Sequence, residues 1–96
     1  MKDTLRAADA APSPQRPKIA TLFRMQWEPA QNAHVLLYPE GMVKLNQSAA
    51  EILKRCDGTR DLDTLIVDLE QAFNATGIAA EVRAFVAEAR ARGWLE

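Results

Sequence analysis

The stretch His34-Val-Leu-Leu-Tyr-Pro-Glu-Gly-Met-Val-Lys-Leu-Asn46 decides how this chain folds. Val35 to Tyr38 is an unbroken apolar run, too short for a helix and closed by a proline, so it reads as a strand. In Tyr38-Pro39-Glu40-Gly41, proline takes the second turn position and glycine the fourth, which favours a tight reversal. Met42 to Leu45 then returns as the other arm of a hairpin. Upstream, Phe23, Met25 and Trp27 alternate with Arg24 and Gln26, the period of two of a half-buried strand over Leu22 to Trp27. Pro29 to Ala33 is the loop between them.

Downstream the period changes to that of helices. Asn46 can cap the first helix, and Ser48 with Glu51 can form a capping box instead. Its apolar face is Ala49, Ile52, Leu53 and Cys56, with Gly58 as a left-handed exit. Asp61 caps a second helix whose stripe is Leu62, Leu65, Ile66, Leu69 and Phe73, broken at Asn74 to Gly77. A third runs from Ala79 to Arg92, with Val82, Phe85, Val86 and Ala89 on one face and Gly93 as the stop. Trp94 and Leu95 fold back onto the core, and Trp27 and Trp94 are read as core anchors. Three short antiparallel strands followed by three helices outline an α+β, winged-helix-like domain.

With 96 residues there is room for one small domain. Residues 1–17, with Pro12, Pro14 and Pro17, read as an extended mobile arm, so the domain is expected over 18–96. No apolar stretch of signal-peptide or membrane-spanning length is present, and a soluble cytoplasmic protein is expected. Twelve basic and 13 acidic residues interleave to a net charge of -1, which gives no broad field for nucleic acid or membrane.

Chemistry for catalysis is missing from the pattern. One histidine, His34, stands inside a strand, and one cysteine, Cys56, lies on an apolar helix face. Neither has the partners that a nucleophile, a base or a metal site requires, so no cofactor and no enzymatic activity are expected. Glu40 and Asp57 read as turn and cap residues, and the glycines as punctuation between elements.

Binding is the remaining capacity. The third strand, Met42-Val43-Lys44-Leu45, carries one charge and no proline, so its edge is little protected against an added strand. The third helix is a candidate second wall, with Arg83 and Arg90 about two turns apart on nearly the same side. Two other readings follow from the same features. The helices can be read as a DNA-binding helix-turn-helix, against which stand Asp61, Asp63, Asp68 and Glu70. The exposed edge can also pair with a second copy or exchange strands with it, so the chain is a monomer or an edge-strand or swapped homodimer.

His34-Val-Leu-Leu-Tyr-Pro-Glu-Gly41, Leu45-Asn46, Ala49-Ala-Glu-Ile-Leu53, Cys56-Asp-Gly58 and Gly93-Trp-Leu95, in this order and spacing, resemble the PqqD family of pyrroloquinoline quinone biosynthesis. The resemblance runs from about Phe23 to Leu95. It implies a RiPP recognition element, a peptide chaperone that binds the precursor peptide PqqA and presents it to the radical S-adenosylmethionine enzyme PqqE. It also implies a peptide site along the third strand and third helix, here Met42, Val43, Lys44 and Leu45 with Val82, Arg83, Val86 and Arg90.

Overall fold

The computed structural model describes residues 16–96. The expected arm, residues 1–17, lies outside them except for Arg16 and Pro17. Strands β1 (Arg24–Glu28), β2 (Ala33–Tyr38) and β3 (Gly41–Lys44) precede helices α1 (Gln47–Lys54), α2 (Leu62–Ala72) and α3 (Ala79–Ala91). The sheet is antiparallel with β2 in the middle. This is the α+β order that the alternation of periods requires.

Local chemistry sets the boundaries. Tyr38 pairs with Gly41, so Pro39 and Glu40 alone make the β2–β3 reversal. Asn46 is the cap of α1: its Oδ1 accepts the Ala49 N–H at 2.8 Å and the Ser48 hydroxyl at 3.1 Å, leaving no capping box. Asp61 caps α2 in the same way through the Thr64 N–H at 2.8 Å. Beyond α3, Gly93 takes φ +81°, and the N–H groups of Gly93 and Trp94 donate to Arg90 and Ala89 carbonyls at 2.9 Å each. That paired closure turns the chain back and delivers Leu95 to the core.

One sheet face and the three helices enclose the core. Leu36, Leu45, Leu53, Cys56, Leu65, Leu69, Val82, Val86 and Leu95 are buried together, and Met25, Phe23 and Val43 pack against them. Residues ahead of β1 tie this layer closed. Ile19 N–H donates to the Cys56 carbonyl at 3.1 Å, Gly58 N–H to Pro17 at 3.0 Å, and Glu96 N–H to Lys18 at 2.7 Å. Pro17 is fully buried, so packed structure is already present one residue before Lys18.

Two aromatic residues depart from the sequence reading. Trp27 lies on the core side of β1, yet it is 49% exposed and is not a core anchor. Its register partner is His34, near the end of the sheet, where the two rings meet edge to face at 5.1 Å. Phe73 fits the stripe of α2 by spacing but is also 49% exposed. The helix ends at Ala72, Phe73 is its cap at φ -110°, and the ring lies beside an open groove under the Arg55 guanidinium at 5.8 Å. Among the described residues, no helix is long and apolar enough to cross a membrane.

Candidate peptide-binding surface

Among the described residues β3 is an edge strand, and its register determines what that edge offers. The Leu45 N–H donates to the His34 carbonyl at 2.9 Å, which makes Leu45 and His34 a hydrogen-bonded pair. Such pairs alternate along an antiparallel ladder. Val43, opposite Leu36, and Gly41, opposite Tyr38, therefore turn their backbone groups inward to β2. Met42 and Lys44 turn their N–H and C=O groups outward. Side chains follow the other alternation: Met42, 45% exposed, and Lys44 stand on the sheet face away from the helices, while Val43 packs on the core and Leu45 is buried. Of the four strand residues singled out by sequence, Met42 and Lys44 present main chain that no other described residue pairs with.

The four residues singled out on α3 lie in different surroundings. Val82 and Val86 are core residues, Val86 only 1% exposed. Arg83 is exposed and forms an ion pair with Asp63 of α2. Arg90 is half-buried and lies close enough to Cys56 to act electrostatically on its thiol. Spacing placed the two arginines on one side of the helix, but their separation along the axis takes them to different neighbours.

A groove opens beside α3 on the side of α1. It has a volume of about 560 Å³. Ile52 and Glu51 of α1, Leu69 and Phe73 at the end of α2, and Ile78, Glu81, Val82 and Phe85 line it. The last four recur at i, i+3, i+4 and i+7, one continuous stripe. Sequence reasoning assigned Phe85 to a core face and Val82 both to that face and to the peptide site, and passed over Ile78, Glu81 and Phe73 as binding residues. The stripe was a visible signal; what it faced was not.

A second depression of about 470 Å³ lies across α1, lined by Trp27, Asn32, His34, Asn46, Gln47 and Glu51 among others. Gln47 and Glu51 border both, so the first turns of α1 form the ridge between them. Glu51 is held by Lys54 Nζ and Arg55 Nη1, each at 3.0 Å, and these hydrogen bonds lower its pKa from the usual carboxylate value.

Cys56 is packed as a small apolar residue. Its thiol is 2% exposed at the residue level and donates to the Ile52 carbonyl at 3.3 Å. Burial pushes its pKa up to about 11, so it stays protonated at neutral pH. Among the described residues, no three His, Cys, Asp or Glu side chains gather as a metal site.

Against this geometry, comparison with known proteins is consistent along the chain. The family described as "Coenzyme PQQ synthesis protein D (PqqD)" matches residues 33–95. A Stutzerimonas stutzeri protein named PqqA binding protein is 51% identical over 83 residues, covering 85% of this chain and 90% of its own length. The Azotobacter vinelandii protein of the same name is 52% identical over 81 residues, covering 83% and 88%. Among solved structures, the solution structure of the PqqD truncation of Methylobacterium extorquens PqqCD, described as a functional stand-alone RiPP recognition element, superimposes with a TM-score of 0.65 at 27% identity. That superposition covers 83% of this chain and 87% of the other. The strand-turn-strand-helix signature, the three-strand, three-helix order and these likenesses agree: the chain belongs to the PqqD family.

Proposed function

We propose that this protein is a peptide chaperone that binds the precursor peptide PqqA as a fourth strand on β3 and presents it to the radical S-adenosylmethionine enzyme PqqE in the cytoplasm. It acts by binding, not by catalysis. The observation that carries this reading is the outward main chain of Met42 and Lys44 on an edge strand, in a family whose relatives are named for binding PqqA. Two residues with outward N–H and C=O groups offer four backbone hydrogen bonds, about 1 kcal/mol net each. Two buried apolar peptide side chains add about 1.5 to 3 kcal/mol each. Against this stand about 2 to 5 kcal/mol of ordering and the loss of translational freedom. Before the translational loss these terms leave at most about 8 kcal/mol, so micromolar affinity is the upper bound, weak enough to allow both capture and release.

The test is a titration of isotopically labelled protein with PqqA peptide, read by amide NMR, on the parent and on Lys44→Pro. Proline at Lys44 removes an outward N–H and leaves the β2 ladder bonds in place. Proline at Val43 is a poorer test, because that N–H belongs to the hairpin itself. Shifts on Met42 to Leu45 that disappear in Lys44→Pro are expected. Undiminished binding by Lys44→Pro would sink strand addition.

A further inference from the structure

The groove between α1 and α3 is apolar at its base, and among the described residues its lining includes two carboxylates and no lysine or arginine. Ile52, Leu69 and Val82 form the floor, Phe73 and Phe85 the sides, and Glu51 and Glu81 stand at the edge. The two acids differ. Both oxygens of Glu51 already hold bases, Oε2 on Lys54 and Oε1 on Arg55. Glu81 is exposed in the first turn of α3 and enters none of the ion pairs between described residues.

We propose that this groove receives one large apolar side chain of the bound peptide, and that Glu81 pairs with a lysine or arginine flanking that residue. The assignment deepens the strand-addition reading and rests on it. A volume of about 560 Å³ holds a large side chain with room to spare and falls in the roughly 300–1,000 Å³ range of ligand pockets. Charge complementarity selects the occupant: an acidic peptide segment would be repelled by Glu81 and a neutral one would leave it unpaired. Continuity of the chain supplies the route, because β3 ends at Lys44 and Leu45-Asn46 leads directly to Gln47 and Ser48 on the groove wall. A recognised peptide thus combines an extended stretch for β3 with an apolar residue beside a base.

The deciding experiment measures fluorescence anisotropy of labelled synthetic PqqA against the full chain. Four proteins are compared: parent, Phe73→Ala, Glu81→Lys and Lys44→Pro. They are read against the parent peptide and a set in which each Lys or Arg is replaced by Glu in turn. Phe73→Ala should weaken binding about tenfold through lost apolar contact, and Glu81→Lys about fivefold through charge reversal at an exposed site. One charge-reversed peptide should restore Glu81→Lys to parental affinity, a rescue that a structural role would not produce.

Unchanged affinity in both groove variants, with Lys44→Pro defective, overturns the groove and leaves strand addition standing. Normal binding by Lys44→Pro with both groove variants defective does the reverse. Equal weakening of Glu81→Lys against every peptide overturns the ion pair. If light scattering shows that Phe73→Ala dissolves a dimer without affecting peptide affinity, a second copy occupies the groove and the proposal fails. Should Phe73→Ala not fold, the Glu81→Lys rescue decides alone.

Discussion

The two ends of α1 differ in how completely the structure uses them. At the C-terminal end almost every group is committed. Arg55 Nε lies 2.6 Å from Asp68 of α2, its Nη1 donates to the Glu51 carbonyl at 2.9 Å and to the Glu51 carboxylate at 3.0 Å, and Arg60 lies 4.0 Å from the same Asp68. Leu53 and Cys56 are buried beneath this network. At the N-terminal end, Asn46 satisfies the helix cap, but Gln47 and Ser48 are exposed and an open depression lies on either side. One eight-residue helix is thus closed at one end and unfilled at the other. Stability resides where packing is complete, and binding capacity where apolar surface stays uncovered.

The closed end is the more sensitive to substitution. Leu53→Ala should cost about 3 kcal/mol, since Leu53 is 1% exposed and its removal leaves a cavity among α1, the sheet and the other helices. Urea denaturation measures this, and PqqA affinity of the folded fraction should not move. A loss below about 1 kcal/mol would mean the corner collapses freely and is not tightly packed. Arg55→Met should cost about 2 kcal/mol, because three charge-assisted contacts vanish and Asp68 loses its nearest base. A change within about 0.5 kcal/mol would class the network with ordinary surface pairs. Glu81→Lys touches only the open groove and should stay within about 0.5 kcal/mol in stability while shifting affinity, whereas Phe73→Ala also removes the ring under Arg55 and should cost about 1 kcal/mol.

The smallest effect at neutral pH, and a sharper one in base, comes from Cys56. Its folded pKa is raised to about 11 by burial. The folded state therefore holds the thiol proton after the unfolded state has released it. Stability from this source is complete below the ordinary thiol value, about 8.5, and is lost as pH rises toward 11. Denaturation midpoints of the parent should fall faster than those of Cys56→Ala between pH 9 and 11. Parallel curves would place the thiol in a better solvated site than its burial implies.

The boundaries of the fold were legible because they rest on local chemistry. Pro39 and Gly41 make the hairpin, Asn46 and Asp61 satisfy the first helical N–H groups, and Gly93 accepts the left-handed turn that ends α3. Each acts within a few residues of itself. The strand edge was legible as well, since a short, singly charged strand at the end of a hairpin has little to blunt it.

What failed was the inference from face to neighbour. Periodicity placed Trp27 on the core face of β1 and Phe73 on the core stripe of α2, and both are half exposed. A side chain's direction follows from its own backbone, but its coverage follows from where other elements end. Arg83 shows the same limit: its position on α3 was correct, and its partner Asp63 lies 20 residues away on α2. Pro17 to Ala20 likewise gave no signal that they would join the Cys56–Gly58 segment and the Trp94–Glu96 tail by main-chain bonds.

The sequence by itself therefore determined the order of strands and helices, their caps and stops, and the family to which the chain belongs, because these depend on residue type and short spacing. Tertiary structure alone decided that Met42 and Lys44, and not Val43, expose their main chain, and that α3 meets α1 across a groove. Ladder parity and helix packing depend on contacts between segments distant along the chain, and no local pattern encodes which of them will be left open.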